Sequence, residues 1–225
     1  MNPTFIIIPA FNEQTVLDAV VTGIRSVTDA FIVVVDDGSA DPLVVSSEVS
    51  DLYLIRHCIN LGQGAAIATG IEFSLQQGAK VLVTFDADGQ HDPADLDALI
   101  DPIVLGDADI VLGSRFIKAN TSMPFMRKLL IKSACIFHYL LTGFWMTDAH
   151  NGLRAMNRKA AGCISITENR MAHATEIILE IKRHHLQWKE VPVHIAYTAY
   201  SQSKGQASSN SLRIFFDVVL HKLFR

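Results

Sequence analysis

Short apolar runs separated by amphipathic stretches set the pattern of this chain. Thr4–Ile8, Phe31–Val35, Val81–Phe85 and Asp109–Leu112 are almost continuously apolar, which predicts strands buried on both faces of a parallel sheet. Leu52–Ile55 and Val191–Ile195 are weaker strand candidates. Between the strands, Val16, Leu17, Val20, Ile24 and Val27 share one helical face. Leu96, Leu99, Ile100, Ile103 and Val104 do the same behind Pro93, a residue suited to a first helical turn. A further helix is expected near Ile67–Leu75. Strand–helix–strand repetition of this kind predicts one α/β domain with a doubly wound sheet. There is no internal repeat, and the polar stretch Ser201–Ser211 reads as a loop.

Polar and charged residues gather at the carboxyl ends of the strands. Ile8 leads into Pro9-Ala10-Phe11-Asn12-Glu13, and Val35 into Asp36-Asp37-Gly38-Ser39. Phe85 leads into Asp86-Ala87-Asp88-Gly89-Gln90, and Leu112 into Gly113-Ser114-Arg115. Open α/β sheets bind ligands at this edge, so four such ends together mark a site.

At 225 residues with 49% hydrophobic content, the chain can fill a core and is not globally disordered. Its net charge of −4 hides an asymmetry. Residues 1–112 set Arg25, Arg56 and Lys80 against 17 acids; residues 113–225 hold 16 Lys and Arg against six. An acidic half suits a divalent cation, and a basic half suits phosphates or an anionic membrane; two solvated faces would also give this pattern. No apolar run reaches the roughly 18–20 residues of a membrane span. The nearest, Leu129–Met146, carries Lys132 and His138. No basic segment precedes Thr4–Ile8, so a secretory signal is not expected. Cys58, Cys135 and Cys163 are odd in number and widely spaced, which predicts reduced thiols in a cytosolic compartment.

Asp86 and Asp88 stand two residues apart, which on an extended segment points both carboxylates to one side. Two hard oxygen ligands with most of the coordination sphere open suit Mg²⁺ or Mn²⁺ gripping a diphosphate. The same spacing also occurs in solvated loops whose acids, here Asp92 and Asp95, cap the next helix. Haloacid-dehalogenase phosphatases carry such a pair too, but near the start of the domain and without the following Gly-Gln. A carboxylate in Asp36-Asp37-Gly38-Ser39 can accept from a nucleobase or ribose, or simply close an Asp-Gly turn. Asn60-Leu61-Gly62-Gln63-Gly64-Ala65-Ala66 is neither a dinucleotide fingerprint nor a phosphate loop. Its small residues let a nucleotide approach a helix N-terminus, or let a helix pack closely on the sheet.

Taken together, these five segments resemble family-two inverting glycosyltransferases of the GT-A fold, in the dolichyl/polyprenyl-phosphate mannosyl- and glucosyltransferase branch. The resemblance covers roughly residues 3–205. Asp148-Ala149-His150-Asn151-Gly152-Leu153-Arg154 is similar to a later family segment, with Leu153 in place of an aromatic, and no Arg stands near Ser201 in the final loop. The resemblance implies a GDP- or UDP-sugar donor and Mg²⁺ or Mn²⁺ held by Asp86, Asp88 and Gln90. It implies a donor-binding set of Pro9, Ala10, Asn12, Glu13, Asp36, Asp37, Asn60, Gly64, Ala66, Asp86, Ala87 and Lys204. Asp88, Arg115, Asp148 and Glu176 are the catalytic candidates, with Arg115 and Lys204 reaching phosphates. It also implies a GT-A domain over residues 1–205, its nucleotide- and metal-binding half about 1–115 and its acceptor half about 116–205, followed by an amphipathic helix over 206–225.

Inversion needs one displacement and no enzyme nucleophile. A polyprenyl phosphate acceptor, with a second pKa of about 6, is largely ionised at neutral pH and needs only cationic positioning. The alternative acceptor, a saccharide or lipid-linked sugar hydroxyl in cell-surface polysaccharide synthesis, would need a carboxylate base, Asp148 or Glu176. Glu176 lies on a helix whose apolar face is Met171, Ala174, Ile177, Ile178 and Ile181, where a boundary acid paired with a base is the alternative. His150 and His173 read as packed side chains. Met123–Met146 and Leu212–Arg225 mix aromatics with basic residues, as interfacial membrane helices do, and as core or dimer helices also can. A peripheral enzyme on the inner membrane face, with a small membrane-protein partner and no nucleic acid, is expected. Two rivals are a sugar-nucleotide pyrophosphorylase, which would want a basic Gly-rich loop where Pro9–Glu13 is acidic, and a donor-binding scaffold without turnover.

Overall fold

The computed structural model describes residues 3–45, 50–117, 129, 132–133, 135–136, 139–140, 143–148, 151–168 and 172–196. Strands β1 (Thr4–Ala10), β2 (Phe31–Asp36), β3 (Leu52–Arg56) and β4 (Val81–Thr84) alternate with helices α1 (Gln14–Arg25) and α2 (Gln63–Gln76). A 3₁₀ turn (Pro93–Asp95) opens α3 (Leu96–Val104), and β5 (Ile110–Ser114) follows. Then come β6 (Arg154–Asn157), α4 (Arg158–Cys163), α5 (His173–Arg183) and β7 (Trp188–Pro192).

The seven strands form one sheet in the order β3-β2-β1-β4-β6-β5-β7. All run in one direction except β6, which pairs antiparallel with both β4 and β5. Register explains the continuous apolar runs. In β1, Phe5 and Ile7 turn to one core with Val33, Val35 and Leu82, while Ile6 and Ile8 turn to the other with Ile32, Val34 and Val83. The first core is capped by Ile67 and Ile71 of α2 and by Ile177, Ile178 and Ile181 of α5. The second is capped by Leu17, Val20 and Ile24 of α1 and by Leu96, Leu99 and Ile103 of α3. Helix α2 packs so closely that a Cβ on Gly70 would collide with the Ile7 side chain.

The doubly wound sheet and its first four strands stand where the apolar runs predict them. Three elements differ. Strand β6 was not foreseen because only Ala155 and Met156, between Arg154 and Asn157, are apolar: four residues are too few to show a period. Helix α4 follows directly, capped by the Asn157 side chain, which accepts from Ala160 N at 2.7 Å. Strand β7 begins at Trp188, three residues before the expected Val191–Ile195, because it pairs residue by residue with β5 from Ile110 to Ser114. Among the described residues, no helix is long and apolar enough to cross a membrane. The expected helix over 206–225, Lys204 and His150 lie outside the described residues.

Candidate active site

The ends of β1, β2, β4 and β5 all open at one edge of the sheet. Pro9 and Ala10 are buried within β1 itself. Asn12 follows at φ 56°, a left-handed conformation that Asn tolerates. Its N–H donates to Ser39 Oγ at 2.9 Å and its Oδ1 accepts from Ala40 N at 3.0 Å, clamping the β1 loop to the β2 loop. The Glu13 carbonyl accepts from Val16 N and Leu17 N, starting α1.

Asp36 and Asp37 are both buried and do different work. Asp36 accepts from Ser39 N at 2.9 Å and Leu43 N at 3.3 Å, and pairs with Arg56 Nε at 3.4 Å, so it fixes its own loop. Asp37 accepts from Leu61 N at 3.0 Å, Gly62 N at 2.7 Å and His57 Nδ1 at 2.8 Å. It therefore holds the loop that enters α2. Gly38, at φ 70°, lies against Ile59 and Asn60, where no side chain would fit. Asn60 is exposed on that loop, while Gly64 and Ala66 are buried in the first turns of α2.

The paired carboxylates after β4 differ sharply in environment. Asp86 Oδ1 accepts from Gln63 Nε2 at 2.9 Å and Oδ2 from His91 Nε2 at 3.0 Å. Burial works to raise the Asp86 carboxyl, but the His91 hydrogen bond and the positive charges of His91, His173 and Arg154 outweigh it and hold the group below the usual carboxylate range. Asp88 is pushed the other way, by burial first and then by the Asp86 charge, with Glu13 adding to it. Gln90 N donates to Asp88 Oδ1 at 3.0 Å; Oδ2 accepts from no described residue. Gly89 turns between them at φ 71°. The Gln90 carbonyl accepts from Ala196 N at 2.8 Å, tying this loop to the segment that follows β7.

The other wall comes from the second half of the chain. Arg115 and Asp148 form a buried ion pair, Nε to Oδ2 at 2.6 Å, with Arg115 N donating to the same oxygen at 3.3 Å. Arg154 is buried on β6, and burial lowers its guanidinium to about 10 despite the opposing pull of Asp86 and Asp148. It is thus electrostatically joined to both carboxylates. Thr84 Oγ1 donates to the Gly152 carbonyl at 2.6 Å, and a Cβ on Gly152 would collide with the Asp86 carboxylate. The Asn151–Arg154 segment is therefore pressed against Asp86.

Among the sequence-predicted residues, Glu13 and Asp86 act electrostatically on Asp88, and Gln90 N bonds it. Arg154 is joined to both Asp86 and Asp148, the partner of Arg115; Asn12, Asp36 and Asp37 fix the adjoining loops. Glu176 stands apart in its contacts: it accepts from Thr167 N and Glu168 N, each at 2.9 Å, and from Thr167 Oγ1 at 2.5 Å. Sequence reading missed Gln63, His91 and Arg154 as partners of Asp86, and left His173 as packing. His91 follows Gln90 directly and was open to notice; Arg154 reaches the acids only because β6 inserts beside β4.

Among the described residues, no three His, Cys, Asp or Glu side chains gather as a preformed metal cage. A cation here would rest on Asp86 and Asp88, with Gln90 beside them and ligand oxygens completing the sphere. The donor set fits a hard divalent ion, since it concentrates carboxylate charge that the fold does not neutralise at Asp88.

The chain resembles known proteins in both sequence and fold. The chain is 31% identical over 240 aligned residues to the UDP-N-acetylglucosamine–dolichyl-phosphate N-acetylglucosaminyltransferase of Methanococcus voltae, covering 97% of this chain and 96% of that one. It is 29% identical to the polyprenol monophosphomannose synthase of Mycolicibacterium smegmatis, over 93% and 83% of the two chains. The fold matches a crystal structure of glucosyl-3-phosphoglycerate synthase from Mycobacterium tuberculosis, a complex with Mn²⁺, UDP and glucosyl-3-phosphoglycerate, at a TM-score of 0.63 and 16% identity over 89% of this chain and 74% of that one. That likeness establishes the GT-A architecture. The profile of Glycosyl transferase family 2 matches residues 5–165, and the chain belongs to that family of sugar-transferring enzymes.

Proposed function

We propose that this enzyme is a metal-dependent inverting glycosyltransferase that moves a sugar from a GDP- or UDP-sugar to a polyprenyl phosphate, working as a peripheral protein on the cytoplasmic face of the membrane. The observation that carries the reading is Asp88: a carboxylate raised by burial and by Asp86, with one oxygen that accepts from no described residue, at the carboxyl edge of a family-two sheet. Relatives whose names specify dolichyl phosphate and polyprenol support the acceptor class. Exposed Leu129, Ile136, Leu140 and Trp145 support contact with a lipid surface.

Asp86 and Asp88, with Gln90, would hold Mg²⁺ or Mn²⁺, which when bound offsets the charge that builds on the departing diphosphate. His91 helps to keep Asp86 ionised, and Gln63 and His91 hold its two oxygens in place. The Asn12–Ser39 clamp and the Asp37-held loop shape the nucleoside pocket, with Pro9, Ala10, Glu13, Asn60, Gly64, Ala66 and Ala87 lining the donor side. Arg115, fixed by Asp148, positions the acceptor phosphate, whose oxygen attacks the anomeric carbon in one displacement. Asp148 acts by orienting Arg115, not as a base, because an ionised phosphate has no proton to give up. Lys204 is proposed as a further phosphate contact, and a small membrane protein as a partner.

The test is a panel of GDP- and UDP-sugars with Mn²⁺ and polyprenyl phosphate in detergent, following nucleoside diphosphate release. Lipid-dependent release from one donor, abolished by EDTA, is the expected result. Metal-dependent donor binding without lipid-stimulated release would move the acceptor to a saccharide, and absence of donor binding would overturn the reading.

A further inference from the structure

We propose that Glu190 is a positioning residue for Arg115, acting through Thr147 and Asp148. The inference rests on the assignment of Arg115 to the acceptor phosphate. Glu190 lies on β7, directly opposite Leu112 of β5 in the sheet. Its Oε1 accepts from Thr147 N at 2.9 Å, from Thr147 Oγ1 at 3.0 Å and from Asp148 N at 3.2 Å, while Oε2 lies 3.0 Å from Thr147 N. One carboxylate thus grips two successive residues of a segment that has no strand or helix of its own. Thr147 Oγ1 meets Ser114 Oγ at 2.5 Å, and Asp148 takes the Arg115 guanidinium. Residues 114 and 115 at the end of β5 are therefore locked to residues 147 and 148, and the lock is anchored on β7.

The arrangement matters because Asp148 is buried and its oxygen meets both the side chain and the backbone N–H of Arg115. Shifting the Asp148 backbone shifts that oxygen, and the guanidinium follows it. Charge-assisted hydrogen bonds from a carboxylate to backbone N–H groups are the means by which a loop is held to a fraction of an ångström. Nothing in the sequence marks Glu190 as more than a polar residue between Lys189 and Val191. All three donors reach Oε1, so a glutamine carbonyl there keeps those bonds and loses only the charge and the second contact of Thr147 N with Oε2.

The test measures steady-state kinetics and Mn²⁺–donor affinity for Glu190→Ala, Glu190→Gln, Arg115→Ala and the double variant Glu190→Ala/Arg115→Ala. Glu190→Ala is expected to lower kcat/KM for polyprenyl phosphate by up to about 100-fold, the effect of roughly an ångström of misplacement. Donor affinity should stay within about twofold, and Glu190→Gln should recover most of the loss. In the Arg115→Ala background, Glu190→Ala should add no more than about twofold, because the two act as one unit. Multiplicative losses, a Gln variant as impaired as the Ala variant, or an equal loss of donor affinity would overturn the positioning role. If Arg115→Ala leaves the lipid phosphate KM unchanged, the fault lies in the assignment of Arg115 itself. Should Glu190→Ala fail to fold, Thr147→Val removes only the hydroxyl bonds to Glu190 and Ser114, and the same non-additivity with Arg115→Ala is expected.

Discussion

On the β1–β4 side of the sheet, the buried carboxylates Asp36 and Asp37 are satisfied largely by backbone N–H groups of their neighbouring loops, whereas Asp88 takes one backbone donor and is raised by burial and by Asp86. On the β5–β7 side, Asp148 is answered by Arg115, and Glu190 by Thr147 and the Asp148 N–H. The contrast locates the ligand-binding free energy that the fold holds in reserve. A carboxylate that the fold has already satisfied stabilises the fold, whereas one that the fold raises destabilises it until a cation arrives. Asp88 and Asp148 should therefore respond in opposite ways to loss of one negative charge.

The greatest change is expected at Asp88. Asp88→Asn should lower turnover by about 10³-fold, the scale of charge stabilisation on a leaving group. The same change should raise the melting temperature of the metal-free protein by roughly 2–4 °C. The sign comes from the raised carboxyl. In the window between the unfolded and the raised folded value, the folded state binds the extra proton, so stability there falls as pH rises, and the Asn variant is free of that loss. Mn²⁺ binding needs Asp88 ionised, so affinity should weaken as pH falls through the same window. Asp86 works in the opposite sense: its depressed carboxyl contributes stability above its unfolded value that is lost as pH falls through the folded one. Calorimetry with and without Mn²⁺ across this range checks both. A destabilised Asp88→Asn protein would end the contrast between Asp88 and Asp148.

Asp148 is the mirror case. Asp148→Asn leaves the Arg115 charge buried without its ionic partner, a loss of about 3 kcal/mol. For a domain of this size that is a fall of roughly 6–12 °C in melting temperature. Thermal unfolding of the two Asn variants side by side tests the pair directly: one up, the other down.

These two positions also mark what the sequence could and could not disclose. Asp86-Ala87-Asp88 follows an apolar strand and is followed by a glycine, so its place at a strand end was readable from local pattern alone. The same holds for Asp36, Asp37 and Asn12, although their bonds within the protein were not readable, because those partners lie 3 to 28 residues away across loop contacts. Arg115 and Asp148 were legible only as separate candidates; their pairing spans 33 residues and depends on the segment that Glu190 anchors. Arg154 was hidden further, since its place beside Asp86 results from the four-residue antiparallel strand β6 that no periodicity betrays. Local chemistry is written locally, and the second wall is assembled by tertiary contacts.

Glu176 extends the contrast to its small end. It sits on α5, the helix that begins with His173, and the charge of His173 helps to hold Asp86 ionised. A carboxylate one turn further on is therefore a natural candidate for a base. Its contacts point elsewhere: both oxygens take donors from Thr167 and Glu168, which closes the loop between α4 and α5. That makes it another carboxylate already satisfied by the fold, so its removal should register in stability and hardly in chemistry. Glu176→Gln should keep transfer to a polyprenyl phosphate within about twofold while lowering stability by about 1 kcal/mol. A general base would behave otherwise, since losing it removes a factor of about 10²–10⁴ from kcat and flattens the acidic limb of the pH profile. Measuring kcat against pH for this variant, beside its melting temperature, decides between the two roles. A loss of that size in kcat would place Glu176 in the chemistry and an acceptor hydroxyl in the site.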